Sequence, residues 1–278
     1  MLVGACGKDP STTPLNQWPM IMAHDAATTY LDAKDPINYE IYRWTITQPP
    51  LAGTSGLLNC GVRGFDWRPK IDEKTGNINM HHGPIEVKHS MQAAMSELVD
   101  WAANRTTPSD LIWLGVTDCE GDNCTGRVQE LFDNMGIRYI TDCSALNGLT
   151  VADAMKLAAL PNGGHVLATF DCWEGNYDPS IACSGHGSRS STKQVKGREY
   201  NCWNTSKTNS IPFDRMFAYL DKVDAAGPPS DGQLFAAQMI WQASEICTFV
   251  CLIDVKEVLH VHHHAHSMTA TIVVLVGI

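Results

Sequence analysis

Three short segments of this chain carry ionisable side chains where an apolar run ends: Ala23-His24-Asp25-Ala26, Phe65-Asp66-Trp67-Arg68 and Met80-His81-His82-Gly83-Pro84. Two histidines, each able to change charge near neutral pH, can take and return a proton within one catalytic cycle. An arginine beside them can grip an anionic oxygen through charge-assisted hydrogen bonds. The carboxylates of Asp25 and Asp66 can orient that machinery. The chemistry such a set suits is proton transfer around a phosphoryl group, with His24 and His82 as the acid/base pair and Arg68 on a non-bridging oxygen. Taken singly, each segment also has a plain structural explanation. His24 could be a satisfied core histidine, Asp66 and Arg68 a surface ion pair, and His81-His82 part of a turn before Gly83-Pro84.

These residues act together only if the elements that carry them end at one place. Short β-rich apolar runs alternate with amphipathic stretches of helical period, the pattern of βαβ units around a parallel sheet. Strands are expected near 20–23, 64–67, 78–81, 111–116, 165–170 and 234–241. Between them, residues 90–103 place Met91, Met95, Leu98 and Ala102 on one helical face. Val128, Leu131, Phe132 and Met135 repeat that pattern before Gly136, a natural helix stop. Thr150 and Asp153 form a capping box ahead of a third helix stopped by Pro161, and residues 213–223 predict a fourth. The expected fold class is α/β, an irregular (β/α)8 TIM-type barrel in a single domain spanning 1–278, with its strand ends converging on one mouth.

Two stretches fit that plan poorly. Residues 172–209 are polar and rich in Gly, Ser, Asn and Cys, and read as a disulfide-pinned loop excursion over the C-terminal face of the barrel. Residues 253–278 form a His-rich and then apolar tail. A strand at 248–253 would leave a crossover from Trp241 shorter than the dozen or so residues that parallel neighbours need. The barrel is therefore open to being incomplete at its C-terminus. His260, His262, His263, His264 and His266 could bind Zn²⁺ or Cu²⁺, but adjacent histidines make a poor tetrahedral set, and the cluster is assigned no role. The closing run 269–278 is apolar yet too short to span a bilayer.

Composition bounds the partners. With 44% apolar and 18% charged residues the chain can bury a sizeable core, and its net charge of −10 excludes a nucleic-acid surface and disfavours tight docking on anionic lipid. Ten cysteines point to disulfides and hence to a secreted protein, with Cys119–Cys124 the most local candidate pair. Sequons at Asn104, Asn123 and Asn204 agree with a glycoprotein. The first residues lack the basic start and apolar stretch of a signal peptide, so a leader is either removed or missing.

The order His, Asp-x-Arg, His-Gly between residues 24 and 83 resembles phosphatidylinositol-specific phospholipase C, in the X-type catalytic domain of its bacterial, metal-independent subtype. His24-Asp25 is similar to the family's first catalytic histidine and the acid that follows it. Gly61-Val62-Arg63-Gly64-Phe65-Asp66-Trp67-Arg68 is similar to its second-strand motif, and His81-His82-Gly83-Pro84 to its third, in which the histidine directly before Gly is catalytic. Pro108-Ser109-Asp110 is similar to the entry of its fourth strand. The resemblance implies cleavage of phosphatidylinositol, or a glycosylated relative, to diacylglycerol and a cyclic inositol phosphate, by a monomer working at a membrane surface without metal or other cofactor. It implies that His24 is the base, His82 the acid and Arg68 the phosphate ligand. Thr117-Asp118 stands where bacterial members carry a substrate-side lysine, and Asp254 where a distal aspartate pairs with the first histidine. Animal members place an acid at the position of Arg68 and hold Ca²⁺ with it. Two other readings stay open: a Mg²⁺-dependent glycerophosphodiesterase or sphingomyelinase D type, which would need a Glu-x-Asp pair after the second strand, and a barrel that binds inositol lipid with weak catalysis or none.

Overall fold

The computed structural model describes residues 8–31, 49–54, 56–83, 85–107, 110–172 and 234, together with the backbone of strands at 199–206, 236–243 and 272–275. Eleven strands and three α-helices follow one another as β1 (Ile21–Ala23), β2 (Val62–Trp67), β3 (Pro69–Ile71), β4 (Ile78–His82), β5 (Ile85–Val87), α1 (Met91–Ala102), β6 (Ile112–Val116), α2 (Cys124–Met135), β7 (Arg138–Ile140), α3 (Val151–Ala158), β8 (Val166–Phe170), β9 (Glu199–Ser206), β10 (Ala236–Ala243) and β11 (Ile272–Leu275). Eight strands pair in the order β7-β8-β6-β2-β1-β11-β10-β9, with every neighbour parallel. β6 and β8 are buried at all five positions, as strands covered on both faces must be. The first strand lies beside the last, as in a barrel, while β7 and β9 are the two edges of the sheet among the described residues.

The helices form where caps and apolar faces agree. Ser90 accepts the Ala93 N–H and opens α1, whose Met91, Ala94, Met95, Leu98 and Ala102 pack with Leu114, Val116 and Phe132 in one cluster. α2 stops at Gly136, which has φ 71°, and a Cβ there would lie 2.7 Å from the Pro161 ring. Thr150 accepts the Asp153 N–H to start α3, which packs with Trp113, Leu167 and Met22. Alternate residues of β6 and β8 thus enter two clusters, Ile112 and Leu114 in one and Trp113 in the other.

Four expectations need correction or completion. The strand at 78–81 exists, but it is not a barrel strand: β4 is the centre of a separate antiparallel sheet, β3-β4-β5. A five-residue apolar run reads the same in either setting, so periodicity could not distinguish them. The polar excursion 172–209 contains a strand, β9, which pairs in parallel with β10 over eight residues. The closing apolar run supplies β11, seated between β1 and β10, so the sheet gains a C-terminal strand where one was in doubt. β7 was not expected and lies outside β8, at the edge of the sheet. The fourth helix at 213–223, the segment 248–253 and the histidines of 260–266 lie outside the described residues.

Candidate active site

β1, β2, β4 and β6 end around a single cluster of charged groups. The turn after β1 delivers His24 and then Asp25, whose φ of 53° is left-handed, a conformation that aspartate tolerates better than most residues. Asp25 N–H donates to Asp66 Oδ2 at 3.2 Å, which ties the end of β1 to the end of β2. Asp25 Oδ2 lies 3.0 Å from His24 Nδ1 and 3.2 Å from His82 Nε2, so one carboxylate oxygen serves both imidazoles. Asp66 is wholly buried and receives Arg68 in a fork, Nε to Oδ1 at 3.3 Å and Nη2 to Oδ2 at 2.7 Å. Arg68 Nη2 also reaches His24 Nε2 at 3.0 Å, and Nη1 lies 3.2 Å from Asp25 Oδ1.

Those neighbours set the charges. Burial alone would push the Asp25 carboxyl up, but His24, Arg68 and His82 around it hold it well below the usual carboxylate range. Burial disfavours the Arg68 cation, and the Asp66 and Asp25 carboxylates more than restore it. His82 is driven below an ordinary histidine by burial, which Asp25 does not fully offset against the cations nearby. His24 feels two opposed demands. Burial opposes a charge on it and the Asp25 carboxylate overrides burial, which raises its pKa. Yet a guanidinium has no acceptor, so the Arg68 contact and a proton on Nε2 exclude one another. With its Nδ1 proton facing Asp25, a neutral His24 can accept from Arg68 at Nε2, and a second proton there requires Arg68 to withdraw.

The expected site residues therefore fall into three groups. His24, Asp25, Asp66, Arg68 and His82 converge. Thr117 is buried and donates from Oγ1 to Asp66 Oδ1 at 3.4 Å, which places it behind the carboxylate. Asp118 offers its backbone carbonyl to His81 at 2.7 Å, and its negative charge reaches Arg68. Asp254 lies outside the described residues. One nearby group was not expected: Asp171, exposed directly after β8 with φ 55°, whose carboxyl is pushed up by partial desolvation and the Asp118 charge. An aspartate at the end of an apolar run, repeating the pattern of Asp25 and Asp118, was the signal for it.

His24, Asp25 and Asp66 have the donor types of a cation site, their ligand atoms falling within 4.8 Å of one another. Arg68 contacts all three, so a permanent cation already occupies the space among these donors.

No protein-family model matches the chain, and no curated protein matches it in sequence. Solved structures do match it. Phosphatidylinositol-specific phospholipase C from Listeria monocytogenes aligns with a TM-score of 0.55 and 15% identity over 98% of this chain and 93% of its own. A mutant of the Staphylococcus aureus phosphatidylinositol-specific phospholipase C gives 0.54 and 14% over 97% and 89%. The chain has the α/β fold of these bacterial enzymes, with a parallel sheet at its centre. At such identities the likeness is one of fold, and what the site does is argued from its own geometry.

Proposed function

We propose that the protein is a phosphodiesterase that cleaves phosphatidylinositol, or a glycosylated relative, to diacylglycerol and a cyclic inositol phosphate, using histidines and no metal. The observation that carries this reading is the meeting of His24, Asp25, Asp66, Arg68 and His82 at one end of the sheet, all within bonding distance. Support also comes from two sides that agree: the three sequence motifs, and the fold shared with solved phospholipases of that specificity.

In an inositol phospholipid the ring's 2-hydroxyl lies beside phosphorus, so attack is intramolecular and the protein need only move protons and stabilise charge. His24 takes the hydroxyl proton on Nε2. A phosphate oxygen that draws Arg68 Nη2 away would free that lone pair at the moment of binding. Arg68 keeps Nε on Asp66 Oδ1, while Nη1, in ion-pair contact with Asp25 but not hydrogen-bonded to its Oδ1, turns to the phosphate. His82 delivers a proton to the departing glycerol oxygen. Its Nε2 faces Asp25 at 3.2 Å and its side chain is 34% exposed, so the ring is held by the carboxylate and open to solvent.

The Mg²⁺-dependent alternative requires a carboxylate at the position of Arg68, and a guanidinium stands there. We place the protein in an oxidising compartment, supported by disulfides at Cys119–Cys124 and Cys143–Cys172. The deciding experiment gives purified protein a panel of phosphatidylinositol, lysophosphatidylinositol and sphingomyelin. Diacylglycerol from the first without ceramide phosphate from the last is the expected result. Ceramide phosphate instead would place the protein in the other class.

A further inference from the structure

His81 stands next to the acid of the proposed reaction and takes no part in it. With Asp118 and Glu120 it has the donor types of a cation site, their ligand atoms lying within 4.8 Å of one another. Those donors are already engaged. Glu120 Oε2 is 2.7 Å from Lys70 Nζ, and His81 turns Nδ1 to the Gly83 carbonyl at 3.1 Å and Nε2 to the Asp118 carbonyl at 2.7 Å. A carbonyl only accepts, so the imidazole donates to one of these groups through whichever nitrogen carries its proton.

We infer that His81 is a positioning residue, which locks the antiparallel sheet β3-β4-β5, and with it His82, onto the strand ends of the parallel sheet. The inference rests on the reading of His82 as the general acid. Because β4, among the described residues, pairs with β3 and β5 and with no strand of the main sheet, the parallel ladder does not fix where His82 stands. β3 is stitched to the turn after β6 by two backbone bonds, Glu120 N–H to Pro69 O and Ile71 N–H to Glu120 O, both at 2.9 Å. β4 is one strand further out. The hydrogen bond that carries it back is the His81 ring, which reaches from the strand bearing His82 to Asp118. The His81 N–H donates to Arg68 O at 2.9 Å, so one residue gathers the arginine, the acid and the turn after β6.

Both ends of this clamp are firm. The His81 side chain has no exposed surface, so an imidazole there must keep its hydrogen bonds or lose solvation without return. The Asp118 carbonyl is aimed by a left-handed turn of φ 50°, and the next residue, Cys119, is tied to Cys124. The neighbouring His82 is 34% exposed and among the described residues makes one ion-pair contact, to Asp25, so its own bonds hold it less tightly than His81 holds the backbone beside it.

The test compares wild type, His81→Ala and His81→Gln by steady-state turnover of phosphatidylinositol and by amide hydrogen exchange. Removal of the ring should lower kcat at least about tenfold, as for a misplaced proton donor, with KM held within about twofold. Exchange should quicken at 81–83 and 118–120 and stay as in wild type across α1, α2 and α3. His81→Gln, whose carboxamide can donate to one of the two carbonyls, should recover part of kcat and of the protection. Wild-type kcat and exchange in His81→Ala would overturn the inference, and so would exchange quickened equally over the three helices, which marks general loss of stability. Should wild type turn over no inositol lipid, the proposed activity falls, and the exchange pattern still decides the clamp.

Discussion

Asp25 Oδ2 faces two imidazoles at 3.0 and 3.2 Å, and the cations around it keep its carboxyl ionised far into acid. One shared anion therefore holds His24 by Nδ1 and His82 by Nε2. Replacing either histidine by alanine should lower turnover at least about 10²-fold, the usual cost of a lost proton transfer, and steady-state rates on phosphatidylinositol check it. Near-full activity in either variant contradicts the assignment. Arg68 acts on His24 in two ways, by repelling a proton and by occupying Nε2. Both oppose a proton on His24 without cancelling the Asp25 carboxylate, so in Arg68→Met the His24 ring should titrate at higher pH than in wild type. Imidazole signals in an NMR titration read this without any need for activity, and an unmoved or lowered value contradicts the contact. The converging residues were legible because each closes an apolar run, and three such runs in order are rarer than any one. Arg68 as the partner of His24 was not legible, since spacing along the chain says nothing of which face a guanidinium turns to. Thr117 was expected at the substrate side, but its hydroxyl is turned onto a buried carboxylate.

At the scale of elements, the three helices were legible at the ends that carry their own start or stop, Ser90 before α1, Gly136 after α2 and Thr150 before α3, while the start of α2 at Cys124, four residues ahead of its apolar face, was not. The caps do measurable work. Ser90→Ala should destabilise by about 1 kcal/mol and Thr150→Ala by a similar amount, since each frees a helix N–H from its acceptor. Chemical denaturation of the two variants checks the figure, and loss of neither stability nor helicity contradicts the capping geometry. Strands were legible as apolar runs but not as partners. β4 looked like a barrel strand because pairing direction leaves no trace in five residues, whereas its position in a small antiparallel sheet is what makes His82 dependent on a neighbour. β9 was hidden in a polar stretch. β11 was not legible as a partner of β1, which begins at residue 21, almost the whole chain away.

At the scale of the molecule, the first and last strands meet. β11 lies beside β1 within the sheet, and the two described edges are β7 and β9. Cys143–Cys172 links the turn after β7 to the end of β8 across 29 residues, while Cys119–Cys124 spans 5. Loop-closure entropy gives roughly 3.5 kcal/mol for the longer link and roughly 2 for the shorter, so Cys143→Ser with Cys172→Ser should lower the Tm more than Cys119→Ser with Cys124→Ser. Peptide mapping without reductant should recover both linked pairs. Equal shifts, or free thiols at all four positions in protein made in an oxidising compartment, contradict this part of the account. The central claim is that two histidines and an arginine cleave an inositol phosphodiester with no metal ion. Phosphorus NMR of phosphatidylinositol incubated with purified protein in excess EDTA tests it in one sample. The account predicts a cyclic inositol phosphate resonance that grows in wild type and is absent in His82→Ala. No cyclic product in EDTA, with phosphodiester cleavage appearing once Ca²⁺ or Mg²⁺ is added, would contradict it.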